Sequence, residues 1–359
     1  MIADAVQHVV DEAQYVNQLD PLGLDQFFMK KLPACNLDGA TGPIIEQVQQ
    51  LKLEELELTT VSKPQALAIT RDLGFIAASL ERHMVALADA PGLTRTMYRL
   101  APLTQEIPRD TIYSYTIRNP GQQKRRSFTG YYEELVFIEA LERGVEDCLK
   151  CLPILVDVLA MPPHDPQCVA MVRQCTEYTK TSVTVMLKVR EVLPPRFFSE
   201  ELRPYFPPVM VEGHQYFAPN GGQMPLALFD WLVWGVDVED KDFWEFFYDI
   251  IEYYPYELRT IPKSVGIKQS LVTKTITALQ QHPNDAQILA LAKTVEQLLD
   301  MLLKFRFPHI KVARDNLQIR PANSKGSGGY DDTMLQRLVD ATVAAKQRLH
   351  RARLPMGLC

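Results

Sequence analysis

Between Asp285 and Arg314 one apolar stripe runs Ile288, Leu291, Val295, Leu298, Leu302, Phe305, His309, Val312, and only His309 breaks it. The steps alternate three and four, so every member falls on one face of a single long helix. Pro308 stands just before the histidine. A proline inside a helix removes a backbone hydrogen bond and bends the axis. The spacing therefore presents an imidazole toward the interior. A histidine on an apolar face is ordinarily a core residue bonded to a carbonyl. The alternative is a metal ligand, since neutral imidazole is a common one. Shortly afterwards comes Gly326-Ser327-Gly328-Gly329-Tyr330, a loop whose backbone can approach a ligand closely.

The rest of the chain reads as mainly helical. Helical periodicity is predicted over residues 4–19, 24–32, 44–53, 62–85, 133–160, 169–192, 225–236, 240–254, 268–280 and 333–351. Pro33 to Pro43 reads as a loop. Gly74, inside a helical stretch, points to close packing rather than a turn. Thr111 to Ile117 is rich in β-branched and aromatic residues and is the best strand candidate. Gln122 to Arg126 reads as a basic, solvated loop. Residues 196–225 form a long irregular segment in which aromatics, Arg203 and glycines concentrate, as they do in binding loops. The division expected is a smaller N-terminal helical part with a short strand (1–125) and a large helical domain (126–359).

Composition removes some classes. The chain has 359 residues, 47% hydrophobic and 23% charged, with a formal net charge of -6. That is an ordinary globular balance, and its sign argues against nucleic acid as a partner. No apolar run is long enough to span a bilayer, and residues 1–10 lack the apolar core of a signal peptide. The expectation is a soluble, cytoplasmic protein with no membrane partner. Cys148 and Cys151 form a C-x-x-C, but inside a helical pattern without the turn of a zinc knuckle. They read as reduced, buried thiols.

No phosphate-binding loop, dinucleotide fingerprint, zinc-protease helix or serine-nucleophile elbow occurs. One inward histidine, a loop with aromatics and an arginine, and a glycine loop fit a heme pocket. In such a pocket one imidazole holds iron and the protein tunes access and polarity on the open side.

Several stretches carry a resemblance. They are Asp72-Leu73-Gly74-Phe75 with Ser79-Leu80 and Arg82-His83; Glu201-Leu202-Arg203-Pro204; Met224-Pro225-Leu226 with Val233-Trp234-Gly235; Phe305-Arg306-Phe307-Pro308-His309; and Gly326 to Tyr330 with Met334-Leu335. In this order and spacing the chain resembles the indoleamine 2,3-dioxygenase superfamily of heme enzymes over nearly its whole length. Within it, the likeness is nearest to the monodechloroaminopyrrolnitrin synthases of the pyrrolnitrin pathway.

The resemblance implies an all-α fold, mainly helical with minor β structure, that binds heme b. It implies His309 as the proximal iron ligand, with Arg306, Gly326, Ser327 and Gly328 also at the cofactor. It implies Arg203 and Ser327 as catalytic residues, Arg203 pairing with the substrate carboxylate. Phe197 or Phe198 matches the distal aromatic, and Ser327 and Gly329 meet the amino-acid backbone. Ile138 stands near the place of a distal serine. Leu317 follows His309 by eight residues, where the pyrrolnitrin enzymes have a tyrosine.

The activity implied is oxidation of tryptophan or a related indole amino acid by dioxygen or peroxide, with a possible electron-donor reductase. The alternatives are ring cleavage to N-formylkynurenine, a heme protein that binds without turnover, and a helical interaction protein with no cofactor.

Overall fold

The computed structural model describes residues 2–318, Gly326, residues 328–330 and residues 332–354. The fold is all-α, with one two-stranded antiparallel sheet among the described residues. The helices are α1 (Ile2–Val16), α2 (Leu32–Asp38), α3 (Gly42–Gln50), α4 (Lys63–Arg82), α5 (Leu93–Thr104), α6 (Ile112–Tyr115), α7 (Tyr132–Ala160), α8 (Pro166–Val192), α9 (Pro195–Phe197), α10 (Leu226–Asp230), α11 (Lys241–Ile251), α12 (Tyr256–Arg259), α13 (Ile261–Ser264), α14 (Leu271–Gln281), α15 (Ala286–Gln318) and α16 (Asp332–Arg353).

Four long helices build the frame. α8 packs along α7 and along α15, and α16 packs along α15. The stripe foreseen on α15 is the reason. Ile288, Leu291, Val295, Leu298 and Leu302 are all buried, and a helix with such a face is stable only when other helices cover it. Pro308 lies within α15 and Pro153 within α7, and both helices continue past them. Caps fix several starts. Ser62 and Gln65 form a capping box before α4, Asp165 caps α8, Asp240 caps α11 and Ser270 caps α14. One continuous hydrophobic cluster runs from Ile2 to Leu349, through residues on both sides of position 125.

The N-terminal part departs from the sequence reading in three places. Thr111 to Ile117 is not a strand: residues 112–115 form one helical turn, with Tyr115 N–H bonded to Thr111 O and Thr116 N–H to Ile112 O. Its aromatics are buried on every side, so β-branched and aromatic content here reports burial, not pairing. Residues 32–38 are helical rather than loop, since Pro33 fits a first turn and Gly39, at φ 64°, ends it. The basic loop is not solvated at its end. Arg126 is fully buried and pairs with Asp72 at 3.2 Å and Asp25 at 2.8 Å.

Arg71 also pairs with Asp72 at 2.7 Å and donates to the Arg118 carbonyl at 3.0 Å. Arg118 in turn bridges Glu12 at 3.0 Å and Glu106 at 2.7 Å. These buried ions tie the 106–126 segment to α1 and α4, and each removes a charge that would otherwise be costly to bury.

The minor β structure lies elsewhere. β1 (Val209–Val211) pairs with β2 (His214–Tyr216), Val209 opposite Tyr216 and Val211 opposite His214. The turn residues Glu212 and Gly213 both have positive φ, as a two-residue hairpin requires. The segment 196–225 is otherwise short helical pieces: α9, a π-helical turn over Phe198–Leu202, and single turns at Arg203–Tyr205 and Gly221–Gln223.

Gly74 behaves as its position implied. A Cβ there would sit 2.4 Å from the Asp110 side chain. Gly74→Ala is expected to destabilise the protein by about 1–3 kcal/mol through overpacking, read as a lower urea midpoint with unchanged slope.

Candidate functional site

The long helices do not close completely on one another. α7, α8, α15 and α16, together with the 112–115 turn and the 198–230 segment, enclose a mostly apolar cavity of about 340 Å³. α15 supplies Leu302, Phe305, Arg306, His309 and Ile310 to its wall. The sequence stripe thus ends at a cavity, not in solid core. Only the outer surface of α15 at this level meets solvent, where Phe307 is 52% exposed.

His309 is half-buried, and it lines the cavity. Among the described residues neither ring nitrogen has a hydrogen-bond or ion-pair partner. Its pKa is lowered to about 4, chiefly by burial and further by the Arg306 guanidinium. Both effects disfavour imidazolium. The side chain is therefore neutral at ordinary pH, the form of imidazole that can bind a metal.

Arg306 lies one turn earlier and is 5% exposed. It forms a buried salt bridge with Asp230, at the end of α10, through Nη2 and Oδ2. Asp230 also accepts from Trp234 Nε1 at 3.2 Å. Burial pushes the Asp230 carboxyl up, and Arg306 and Trp234 act against that. Arg306 Nε is buried and has no partner among the described residues. A buried donor without an acceptor is costly, and this one sits on a residue of the cavity wall.

Of the other residues singled out from sequence, Arg203, Phe198, Gly326 and Gly328 also line the cavity. Arg203 Nη1 donates to the Phe206 carbonyl at 2.6 Å, which fixes the direction of its fork. Phe198 lies edge-on to Phe137 at 5.5 Å. Phe197 is not part of the wall and packs instead against Tyr131 at 5.7 Å. The π-helical turn beginning at Phe198 separates the two directions. Ile138 is fully buried but faces away from the cavity, where Phe137, Leu141 and Gly144 stand instead. Ser327 and the side chain of Leu317 lie outside the described residues.

The glycine loop meets a second strap at the cavity rim. Gly326 N–H bonds to Tyr330 O at 2.8 Å, and the Tyr330 hydroxyl donates to Asp249 on α11 at 2.8 Å. Gly329 has φ 79°, and a Cβ there would lie 2.4 Å from the Phe217 ring. A Cβ on Gly328 would lie 2.9 Å from the Asn220 side chain. Neither position accepts a side chain without moving the strap, so two glycines are needed for contact between chain segments. Gly329 itself is not part of the wall.

The profile of the family described as monodechloroaminopyrrolnitrin synthase PrnB matches residues 23–355. The chain belongs to that family. Its members are heme-dependent oxygenases of the pyrrolnitrin pathway that act on a tryptophan-derived substrate. The residues present fit a heme. The cavity wall holds a neutral imidazole with no described partner, apolar surroundings, and a buried guanidinium with an unused donor.

Sequence reasoning missed Asp230, the ion that neutralises Arg306. A signal was available: Asp230 is the one charged residue in the apolar run from Leu226 to Val236. A lone acid in such a run calls for a buried partner.

Asp230→Ala leaves the Arg306 charge buried and unpaired. It is expected to cost about 3–5 kcal/mol of stability, seen in urea unfolding of the cofactor-free protein. The pH dependence follows from the sign of the His309 shift. The folded state holds fewer protons than the unfolded one between about 4 and 6.5, so this group makes stability rise with pH across that window. Heme uptake is expected to stay level down to about pH 5 and fall only toward 4, whereas a solvated histidine would lose it near 6.5.

Proposed function

We propose that this protein oxidises tryptophan or a related indole amino acid, using heme b with dioxygen or peroxide. The observation that carries the reading is His309: a neutral, unpartnered imidazole at the wall of a largely apolar cavity, in a chain of a heme-oxygenase family.

In this reading His309 binds the iron. Bound heme would supply the oxidising chemistry by activating dioxygen or peroxide. The protein's own work is placement. Arg203 lines the cavity, and its guanidinium, held by the Phe206 carbonyl, would pair with a substrate carboxylate, the group a planar cation suits. Phe198, which lines the cavity against Phe137, would be the aromatic surface for an indole ring in place of Phe197, which packs on Tyr131. By the resemblance, Ser327 and Gly329 of the glycine loop would meet the substrate's amino-acid backbone, and Gly326 and Gly328 the cofactor. Phe137, Leu141 and Phe206 give the cavity an apolar lining that excludes water and strengthens each polar contact inside it. Asp230 keeps Arg306 paired, so the cation beside His309 has a counter-ion within the protein.

No described helix is long and apolar enough to cross a membrane. We place the protein in the cytoplasm, supplied with electrons by a separate reductase where dioxygen is the oxidant.

The test is product mass from the reconstituted protein with tryptophan and its halogenated relatives, under dioxygen with a reductant and under peroxide. Loss of hydrogen or carbon dioxide supports chemistry of the pyrrolnitrin kind. Gain of two oxygen atoms indicates ring cleavage instead, and no product under any oxidant removes the enzyme reading. Arg203→Lys keeps the charge but loses the fork. It is expected to raise KM by about 10- to 100-fold, the worth of one charged hydrogen bond, with a smaller change in kcat.

A further inference from the structure

Two tyrosines line the cavity, Tyr115 and Tyr330, and they differ in where their hydroxyls go. Tyr330 bonds to Asp249 on the exposed side of the rim. Tyr115 is 1% exposed, and its hydroxyl donates to Glu134 Oε1 at 3.2 Å. Glu134 is fully buried and has no ion-pair partner among the described residues. It is held by hydrogen bonds alone: Phe128 N–H at 2.7 Å on Oε1, and Thr129 N–H at 2.7 Å with Thr129 Oγ1 at 2.6 Å on Oε2. Every one of these neighbours is a donor, so the geometry is that of an ionised carboxylate. The loop donors account for a structural use of Glu134 at the start of α7. They do not account for the one phenol that joins this carboxylate to the cavity.

The chemistry that suits a phenol hydrogen-bonded to a buried carboxylate is loss of an electron with transfer of the proton. A phenol gives up an electron readily only if its proton leaves with it, and Glu134 stands in line to take it. Burial pushes the Glu134 carboxyl up, which makes it a better base than a solvated glutamate. The Tyr115 ring is also enclosed. Phe75 stacks on it at 5.7 Å, Phe206 meets it edge-on at 5.3 Å, and Phe128 lies parallel at 6.1 Å. Those rings exclude water and are themselves harder to oxidise than a phenol, so a vacancy formed at Tyr115 stays there.

We propose that Tyr115 is a redox-active residue of the cavity wall, giving one electron to the oxidised heme site and its phenolic proton to Glu134. The proposal rests on the heme reading above and goes beyond it. The oxidant is hydrogen peroxide. Overall one hydrogen peroxide takes up two electrons and two protons from solvent and becomes two waters, the electrons coming by way of the heme site, one of them from Tyr115. As Tyr115 gives that electron, its O–H bond breaks, and the proton moves to Glu134 Oε1, leaving a neutral phenoxyl radical. A small reductant such as ascorbate gives two electrons and releases two protons to solvent: one electron restores Tyr115 as the Glu134 proton moves back, and the other supplies the second electron that peroxide requires. The device discharges an oxidising equivalent that forms when no substrate fills the cavity.

The test uses ferric holoprotein containing ring-deuterated tyrosine, mixed with hydrogen peroxide in the absence of substrate and frozen for electron paramagnetic resonance. The expected result is an organic radical whose hyperfine pattern narrows on deuteration. Its yield is expected to fall at least tenfold in Tyr115→Phe and to persist in Tyr330→Phe. Glu134→Gln, whose amide cannot take the proton, is expected to lower it several-fold, which keeps the test decisive if either variant alone fails to fold. An undiminished signal in Tyr115→Phe overturns the proposal. So does loss of the signal in Tyr330→Phe, or heme-loaded wild type that forms no tyrosine radical. A protein with no heme absorption before peroxide is added fails at the earlier reading instead, and that outcome is visible in the same sample.

Discussion

The site depends on the cost of charging an imidazole inside the protein. Burial and the adjacent Arg306 together hold the His309 pKa at about 4, so the side chain lines the cavity as a neutral imidazole. That condition needs apolar surroundings, and α7, α8, α15 and α16 supply much of them. It also needs the neighbouring cation to be answered within the fold, which Asp230 does. Without Asp230, Arg306 would be an unpaired buried charge close to His309; without the long helices, His309 would titrate like any surface histidine.

The N-terminal part serves the same site by different means. Its 106–131 segment has little regular structure, yet most of its residues are buried. Buried backbone without a ladder must find partners elsewhere, and here it does so through ions and amides. Arg118 and Arg126 anchor it to α1 and α4, and Asn119 bonds both the Arg126 N–H at 2.8 Å and its carbonyl at 2.9 Å. Gln223 accepts from Ile112 N–H at 2.9 Å and donates to Ala218 O at 2.9 Å, locking the 112–115 turn to the strap that carries Asn220. Tyr115 and Ile112 reach the cavity wall because of that lock.

What the sequence made legible follows from what periodicity can encode. The face of α15, the inward direction of His309 and the close packing at Gly74 are one-dimensional patterns. Thr111 to Ile117 misled because the same residue types that favour strands also favour complete burial, and nothing local distinguishes the two. Phe197 and Phe198 could not be told apart because a π-helical turn decides which ring points inward, and that turn is set by its packing. Arg126 looked solvated because its partners, Asp25 and Asp72, are far away in sequence. Within the site, His309, Arg306 and Arg203 were readable from motif and resemblance, while Asp230, Tyr115 and Asn220 come from other segments and meet the cavity only in three dimensions.

The most direct measurement is the visible absorption spectrum of the purified protein with heme supplied, beside His309→Ala and with the folded state of both checked by circular dichroism. If a neutral His309 holds the iron, the wild type shows a Soret band that the variant loses or shifts strongly while remaining folded. A folded wild type that takes up no heme, or a variant with an unchanged Soret band, would contradict the assignment of His309 and the site built around it.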